Sequence, residues 1–329
     1  MLKGQFGSLS ALMLAGALLA PASIPRAHAA TAADIADLSG PDRMQKLIDG
    51  AKKEGGLELY SSATVEDMAP IIAGFEKKYG LKVRVWRGSA TDIRQRAVTE
   101  AQSGHSELDV VEAAGPEVEA LQREHLLQEI KSPTLADLIP GSLPPHKQWA
   151  LDRISVITAA YNTNVITKAQ APKSYDDLID PKWKGKLGIE AIDSDVWLMG
   201  VAAARGEQAT IDLFRKIVAV NGMSLRTGHT QLANFVASGE VPLALTVYGY
   251  KVDQLVDAGA PVQGLPLAPL LGLPTAVAVA QRAPDPYSAV LFWEYILTDG
   301  QKDFAKEDNV PSNRTVKEPP AGLTLVDSG

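Results

Sequence analysis

The chain contains no cysteine among its 329 residues. This absence excludes disulfide bonds, thiolate metal sites, cysteine nucleophiles and a lipid anchor on an N-terminal cysteine. A chain of this length can bury a large core without covalent cross-links. We therefore expect a fold that is held together by packing alone.

The sequence also lacks the short motifs of several enzyme classes. It has no G-x-S-x-G nucleophile turn, no P-loop and no G-x-G-x-x-G dinucleotide motif. The four histidines that follow residue 30 do not have the H-E-x-x-H spacing of zinc sites. The adjacent acids Asp176 and Asp177 fit helix capping. We expect a protein that is not an enzyme, with a secreted hydrolase as the weaker alternative.

An excess of basic residues is missing as well. The chain has 39 acidic residues against 32 lysines and arginines, which gives a net charge of −7 at pH 7. Capture of nucleic acid depends on clustered basic side chains. The charge pattern predicts that nucleic acid is not a partner.

The first 29 residues have the pattern of a secretory signal peptide. Lys3 provides a positive start, residues 9–22 are almost wholly apolar, and Ala27-His28-Ala29 has the small-x-small form of a cleavage site. The apolar run is shorter than the roughly 20 residues that span a bilayer, which argues against a membrane anchor. We predict cleavage after Ala29 and an exported, periplasmic protein.

Strand and helix patterns alternate in the first half of the remaining chain. Apolar spacing predicts helices over 41–54, 66–79, 91–102 and 117–124. Short alternating or apolar runs predict strands over 57–60, 81–86 and 108–112. This β-α-β order favours a parallel sheet covered by helices.

The second half repeats the alternation after a loop that is rich in Pro, Ser and Gly, at residues 131–149. A long apolar strand is predicted over 154–161, and further strands over 187–189, 241–247 and 275–280. Helices are predicted over 194–205, 207–220, 230–238, 251–257, 286–297 and 300–306. The pattern indicates two α/β lobes.

Several motifs in this half resemble those of a known family. The most specific are Pro172–Leu178 (PKSYDDL) and Asp180–Leu187 (DPKWKGKL). Weaker matches are Tyr161–Asn164, Gly239–Pro242 and Asn309–Asn313. Taken together, they resemble the periplasmic substrate-binding proteins of ABC importers, extracellular solute-binding family 1, in the branch of the ferric-iron-binding proteins.

The resemblance implies an α/β fold of the type II periplasmic-binding-protein kind, with two doubly wound lobes, two extended crossings and a ligand cleft between the lobes. The expected organisation is a signal peptide (1–29), a first part of the N-lobe (30–153), a C-lobe (154–264) and a return to the N-lobe (265–329). Such a protein closes its lobes on a small ligand and delivers it to an inner-membrane permease with its ATPase. We expect a monomer without a cofactor; a role beside a sensor uses the same lobes and stays open.

In open α/β sheets, ligands bind beyond the carboxyl ends of strands. Two candidate edges of the N-lobe carry hydroxyl groups at helix starts. The first edge has Ser62 and Thr64, and the second has Ser89 and Thr91. Helix N-termini favour anions. The alternative is that Thr64 and Ser89 or Thr91 only cap their helices.

Two further edges belong to the C-lobe. Asp193 and Ser194 open the helix that carries Trp197. Asp193 or Asp195 could cap that helix, and Asp193 could instead contact a cationic part of the ligand. Tyr248 and Tyr250 directly follow the strand over 241–247. The predicted binding set also contains Tyr161 and Arg226.

The resemblance suggests Fe(III) as the transported ligand. In ferric-binding relatives two adjacent tyrosines follow this strand; Tyr250 falls on the second position and Gly249 on the first, with Tyr248 one residue earlier. Thr64 stands where some relatives have a histidine ligand, and Ala114 where a carboxylate is expected. The predicted metal ligands are Tyr248, Tyr250 and Tyr161.

The alternative ligand is an organic or phosphonate-type anion that is bound without a metal. Arg87, Arg226 and His229 lie at predicted strand ends or helix starts and could form charge-assisted contacts. Trp197 and the tyrosines would then stack on the ligand or donate hydrogen bonds. A single arginine at a strand end is more often a solvated surface charge.

Overall fold

A computed structural model describes residues 31–192, 194–307 and 309–326. Its helices are α1 (Ala32–Ala36), α2 (Arg43–Glu54), α3 (Val65–Tyr79), α4 (Ala90–Ser103), α5 (Gly115–Arg123), α6 (Ser194–Arg205), α7 (Glu207–Asn221), α8 (His229–Ser238), α9 (Gly249–Asp257), α10 (Pro286–Ile296) and α11 (Gly300–Lys306). Its strands are β1 (Gly56–Ser61), β2 (Lys82–Arg87), β3 (Val110–Ala114), β4 (Ala150–Asn162), β5 (Leu187–Glu190), β6 (Ser224–Arg226), β7 (Leu243–Tyr248), β8 (Val262–Leu265), β9 (Leu270–Val279), β10 (Val310–Pro311) and β11 (Leu323–Leu325). Short 3-10 turns lie at Pro133–Asp137, Asp176–Ile179 and Pro181–Trp183. Within the described ranges, no helix combines the length and the apolar character that a membrane crossing requires.

The strands form one mixed sheet with the order β2-β1-β3-β9-β4-β7-β5-β6. In one half, β1 is parallel to β2 and β3; in the other, β5 is parallel to β6 and β7. Between the halves, β9 and β4 are antiparallel to each other and to their outer neighbours β3 and β7. The predicted α/β class is confirmed, and the antiparallel strands are those that cross the middle of the molecule.

Two antiparallel crossings join the half-sheets. β4 begins at Ala150, four residues before the predicted strand over 154–161. β9 pairs with β4 from Ala150 to Ile157, and β8 pairs with it from Ala159 to Asn162. The return crossing therefore runs beside β4 along its whole length, in two pieces.

Three helices begin with the same local sequence pattern, a Ser or Thr followed three residues later by Asp. In each, the hydroxyl of the first residue accepts a hydrogen bond from the backbone N–H of the Asp, which satisfies a donor that lacks a partner inside the helix. The pairs are Thr31 with Asp34, Thr64 with Asp67, and Ser89 with Asp92. Helix α3 ends at Gly80, which has the left-handed conformation that glycine adopts without strain.

The packing is divided into separate hydrophobic clusters. The largest, which we call the N-lobe cluster, takes its residues from positions 32–154 and 276–310. At its centre the rings of Phe75 on α3 and Phe292 on α10 meet edge-on at 5.0 Å. Two others, the C-lobe clusters, are built from positions 157–271 and residue 326, and contain Trp183 and Trp197. The boundaries after residues 153 and 264 stay predictions.

Candidate ligand-binding site

Two tyrosines lie together where β7 ends and α9 begins. Tyr248 is the last residue of β7 and the residue that precedes α9, and Tyr250 lies in the first turn of that helix. Their rings stack with centroids 5.5 Å apart and an angle of 20° between the ring planes. The strand-to-helix turn therefore places both phenols at one sheet edge although Gly249 separates them.

Tyr250 also contacts the opposite lobe. Its hydroxyl donates to Oδ2 of Asp67 at 3.0 Å. Asp67 lies in the first turn of α3, whose buried residues belong to the N-lobe cluster, whereas Val252 of α9 belongs to a C-lobe cluster. The tyrosine pair is thus at the junction of the two lobes.

The environment of Tyr250 favours the neutral phenol. The residue is 7% exposed. Burial, together with the Asp67 carboxylate, raises the pKa of Tyr250 above its usual value and outweighs the opposing effect of Arg153. A phenol that keeps its proton can donate the observed hydrogen bond to Asp67.

His229 packs against Tyr248 on the C-lobe side. The two rings are 4.4 Å apart and tilted by 37°. Nδ1 of His229 lies 2.7 Å from the carbonyl oxygen of Thr246. Because a carbonyl oxygen only accepts, Nδ1 carries a proton and donates this hydrogen bond. The bond fixes the orientation of the His229 ring beside Tyr248.

A buried ionic cluster lies beside the tyrosines on the crossing strand. Arg153 on β4 contacts Oε1 of Glu112 at 2.6 Å and Oδ2 of Asp152 at 2.9 Å. Ser61, at the end of β1, donates to Oε2 of Glu112 at 2.5 Å. All four side chains are buried. The cluster ties β1 and β3 of the N-lobe to the crossing at the level of Tyr250.

The charges of this cluster affect one another. Burial alone would lower the pKa of the Arg153 guanidinium, but the Glu112 and Asp152 carboxylates hold it above its usual value. Burial raises the pKa of Asp152, with Glu112 adding to the effect and Arg153 opposing it. The guanidinium is therefore a permanent positive charge near Tyr250.

The predicted hydroxyl edges of the N-lobe act as helix caps. Thr64 and Ser89 cap α3 and α4, and the Thr91 hydroxyl donates to Glu117 at 3.0 Å. Ser62 is half-buried. Thr64 borders a cavity of about 260 Å³, which is also lined by Arg87. Whether these hydroxyls contact a ligand as well stays a prediction.

The third predicted edge is only partly described. Asp193 lies outside the described residues, and Ser194 is the half-buried first residue of α6. Trp197 is 1% exposed, and its ring packs edge-on against Tyr175 and Phe214 at 5.5 Å from each. The structure places the Trp197 indole in the core of the C-lobe, and its stacking on a ligand stays a prediction.

Strand register separates Tyr161 from the tyrosine pair. On β4, Ile157 lies opposite Tyr248, whereas Tyr161 lies opposite Leu243 at the other end of β7. Four residues of strand correspond to about 13 Å. Tyr161 is buried in a C-lobe cluster. The structure therefore does not bring Tyr161 together with Tyr248 and Tyr250, and its role as a ligand stays a prediction.

Arg226 does not reach the tyrosine pair either. Its guanidinium donates to Glu240 at 3.0 Å and lies over the Phe235 ring at 5.2 Å. Phe235 and Glu240 are at and beyond the end of α8 that is remote from His229. The structure places Arg226 in an ion pair with Glu240, and its contact with a ligand stays a prediction.

Three residues of the site were not found from the sequence. Asp67 follows Thr64 at the spacing of an ordinary cap, and nothing in that pattern shows that its side chain reaches another lobe. Glu112 lies inside a predicted strand, and Arg153 lies just outside one. Within the described ranges, no group of three or more His, Asp or Glu side chains is arranged to hold a metal ion.

Comparison with known proteins gives matches over most of the chain. The family model described as "Bacterial extracellular solute-binding protein" matches residues 60–303. A curated relative, "Iron uptake protein A1" of Synechocystis sp., is 24% identical in an alignment 296 residues long, which covers 82% of this chain and 81% of the relative.

Two solved structures show the likeness of fold. Iron-bound HitA from Pseudomonas aeruginosa aligns with a TM-score of 0.71 at 22% identity, over 81% of this chain and 89% of HitA. The periplasmic binding protein AfuA from Actinobacillus pleuropneumoniae, with fructose-6-phosphate bound, aligns with a TM-score of 0.70 at 21% identity, over 82% of this chain and 88% of AfuA. The predicted two-lobed, type II binding-protein fold is confirmed by this likeness.

Proposed function

The chain belongs to the family of bacterial extracellular solute-binding proteins, and from that premise we propose that it captures ferric iron between its lobes for an ABC importer. The observation that carries the proposal is the stacked pair of Tyr248 and Tyr250 at the lobe junction. Two similar proteins support the proposal: the Synechocystis relative is named as an iron uptake protein, and the HitA structure is iron-bound.

The chemistry of the pair suits this cargo. Fe(III) is a hard cation that prefers oxygen ligands, and a phenol loses its proton near neutral pH only when a metal or a positive field assists it. Tyr248 and Tyr250 provide two phenol oxygens, and His229 provides an imidazole beside Tyr248. Although Gly249 separates the two tyrosines in the sequence, their side chains lie together, because their rings are stacked.

Lobe closure is the proposed mode of capture. Tyr250 on α9 and Asp67 on α3 are in contact across the junction, and Gln254 of α9 donates to Glu307 of the N-lobe at 3.1 Å. A cargo that contacts both lobes favours the closed arrangement by the difference of its affinity for the closed and open states. The crossings β4 and β9 provide the hinge.

The cellular setting follows from the proposal. The apolar segment over residues 9–22 acts as a signal peptide that is cut after Ala29, and the mature protein works as a monomer in the periplasm. Its partners are a permease and an ATPase at the inner membrane. The protein carries its cargo without converting it, so we propose no enzymatic activity.

A spectroscopic titration tests the iron proposal. Addition of ferric citrate to the protein should produce a tyrosinate-to-iron charge-transfer band in the visible. Tyr250→Phe should abolish or strongly reduce the band because it removes one phenolate. Tyr79→Phe, in the N-lobe cluster beside Tyr295, is the matched control and should leave the band unchanged. A colourless wild-type protein would refute the proposal.

A metal-free anion is the second candidate. Among the described residues, α9 begins at Gly249 without a side-chain cap, and such helix starts favour anions. The bound fructose-6-phosphate of AfuA shows that this fold accommodates a phosphate ester. Calorimetry with inorganic phosphate, phosphonates and small carboxylates, on protein treated with a chelator, tests this candidate. Micromolar or tighter binding that survives chelation would favour it over iron.

A further inference from the structure

Asp67 departs from the pattern of its two counterparts. In α1 and α4, the carboxylates of Asp34 and Asp92 accept from the backbone N–H of Thr31 and Ser89 at 2.8 and 3.3 Å, which completes a capping box. The backbone N–H of Asp67 is bonded to Thr64 in the same way, at 3.2 Å. Its carboxylate, however, accepts from Tyr250 of the other lobe.

This orientation has no local cause in the sequence of α3. The three helices share the spacing of hydroxyl and carboxylate, and Asp34 and Asp92 show what that spacing produces when no other partner is near. The carboxylate of Asp67 is half-buried and lies in the first turn of a helix, where the helix dipole stabilises a negative charge. The structure therefore holds an N-lobe carboxylate against the phenol of the C-lobe pair.

We propose that Asp67 is the N-lobe ligand of the ferric iron held by Tyr248 and Tyr250. This inference rests on the proposed function. The iron replaces the proton that Tyr250 shares with Asp67 and the phenol proton of Tyr248. Bonds form from iron to the two phenol oxygens and to the Asp67 carboxylate, both O–H bonds break, and the two protons pass to solvent. The iron is supplied as ferric citrate, its bonds to citrate break as citrate is released, and it stays Fe(III) throughout.

The charges balance in this arrangement. Two phenolates and one carboxylate carry three negative charges, which match the three positive charges of Fe(III). The ferric-binding resemblance places N-lobe ligands at Thr64 and Ala114, neither of which carries a side chain of that kind. Asp67, three residues after Thr64, provides the missing N-lobe donor and makes the metal a link between the lobes.

The variant Asp67→Asn isolates the charge. It keeps the size of the side chain and an oxygen that can accept from Tyr250, but it offers a neutral amide to the metal. The visible band should persist, because both phenolates remain. Competition with citrate should show an affinity lower by at least about 100-fold, since even partners outside the ligand shell change metal affinity by about 10–100-fold.

Lobe closure gives a second readout. The loss of iron to an excess of chelator should be faster in Asp67→Asn by a similar factor. Small-angle scattering should show a larger radius of gyration for its iron-loaded form than for iron-loaded wild type. Asp67→Glu keeps the carboxylate on a longer side chain and should bind iron more tightly than Asp67→Asn.

Asp34→Asn is the matched control, because it makes the same change at the same helix position away from the tyrosines. It should match wild type in affinity and in the rate of iron loss. If Asp67→Asn does not fold, Asp67→Ser serves the same comparison. A coloured wild type with affinity and iron loss in Asp67→Asn within twofold of wild type overturns the role of Asp67 alone. A colourless wild type overturns the iron proposal instead.

Discussion

Asp109 provides a test of the electrostatics of the N-lobe that does not depend on any ligand. The residue precedes β3 and is 1% exposed. Its two carboxylate oxygens accept from the backbone N–H groups of Glu58 and Asp285, each at 2.8 Å. Burial raises its pKa to about 7, against the lowering effect of these two hydrogen bonds.

The magnitude follows from the change in pKa. Asp109 has an ordinary value of 3.8 when unfolded, so the folded state raises it by about three pH units, and each unit corresponds to about 1.4 kcal/mol. The folded state binds the proton more tightly than the unfolded state. The resulting stabilisation is complete below pH ~4 and is lost as the pH rises through about 7. Asp109 alone therefore lowers the free energy of unfolding by about 4 kcal/mol across this window.

The variant Asp109→Asn removes the titrating group. Urea unfolding, followed by tryptophan fluorescence at several pH values from 4.5 to 8, gives the free energy of unfolding of both proteins. The wild-type value minus the variant value should fall by several kcal/mol as the pH rises. Asp34→Asn is the control, because hydrogen bonds to Thr31 lower the pKa of that exposed acid and move its effect below this window. A difference that stays constant within about 1 kcal/mol would refute the reasoning.

Two predictions concern the core. Arg153→Met leaves the buried carboxylates of Glu112 and Asp152 without their cation. It should lower the free energy of unfolding in urea by about 3–5 kcal/mol. A decrease below about 1 kcal/mol would contradict a stabilising role of these ion pairs. Gly50→Ala places a methyl group against the ring of Tyr287 and should cost about 1–3 kcal/mol. The double variant Gly50→Ala/Tyr287→Leu should regain part of this loss, and strictly additive costs would argue against the contact.

The start of β4 shows why part of the fold could not be predicted. Apolar periodicity located the strand over 154–161 but not its first four residues, Ala150 to Arg153. Asp152 and Arg153 have the polarity of a loop. They are buried because Arg153 pairs both with Asp152 and with Glu112, which is about 40 residues away on another strand. Periodicity within a short window carries no information about such a partner.

The candidate site, like the fold, could be predicted only in part from the sequence. Tyr248 and Tyr250 were predicted from their position after β7, since a strand end and the next helix start are local features. Trp197 was assigned to the cleft because it opens a helix near a sheet edge, but the face of that helix that turns inward is fixed by Tyr175 and Phe214. Asp67 has the sequence pattern of a cap, and only the approach of the other lobe gives it a different role.

If the chain is exported as proposed, the pairing of β3 with β9 affects how it can fold. Val110 and Val279 are neighbours in the sheet although about half of the chain separates them. A chain that crosses the membrane from its N-terminus has to release the whole C-lobe before β9 arrives, and until then the edge of β3 is unpaired. Pairings of such long range slow folding. We expect the N-lobe to become stable only after β9 has arrived.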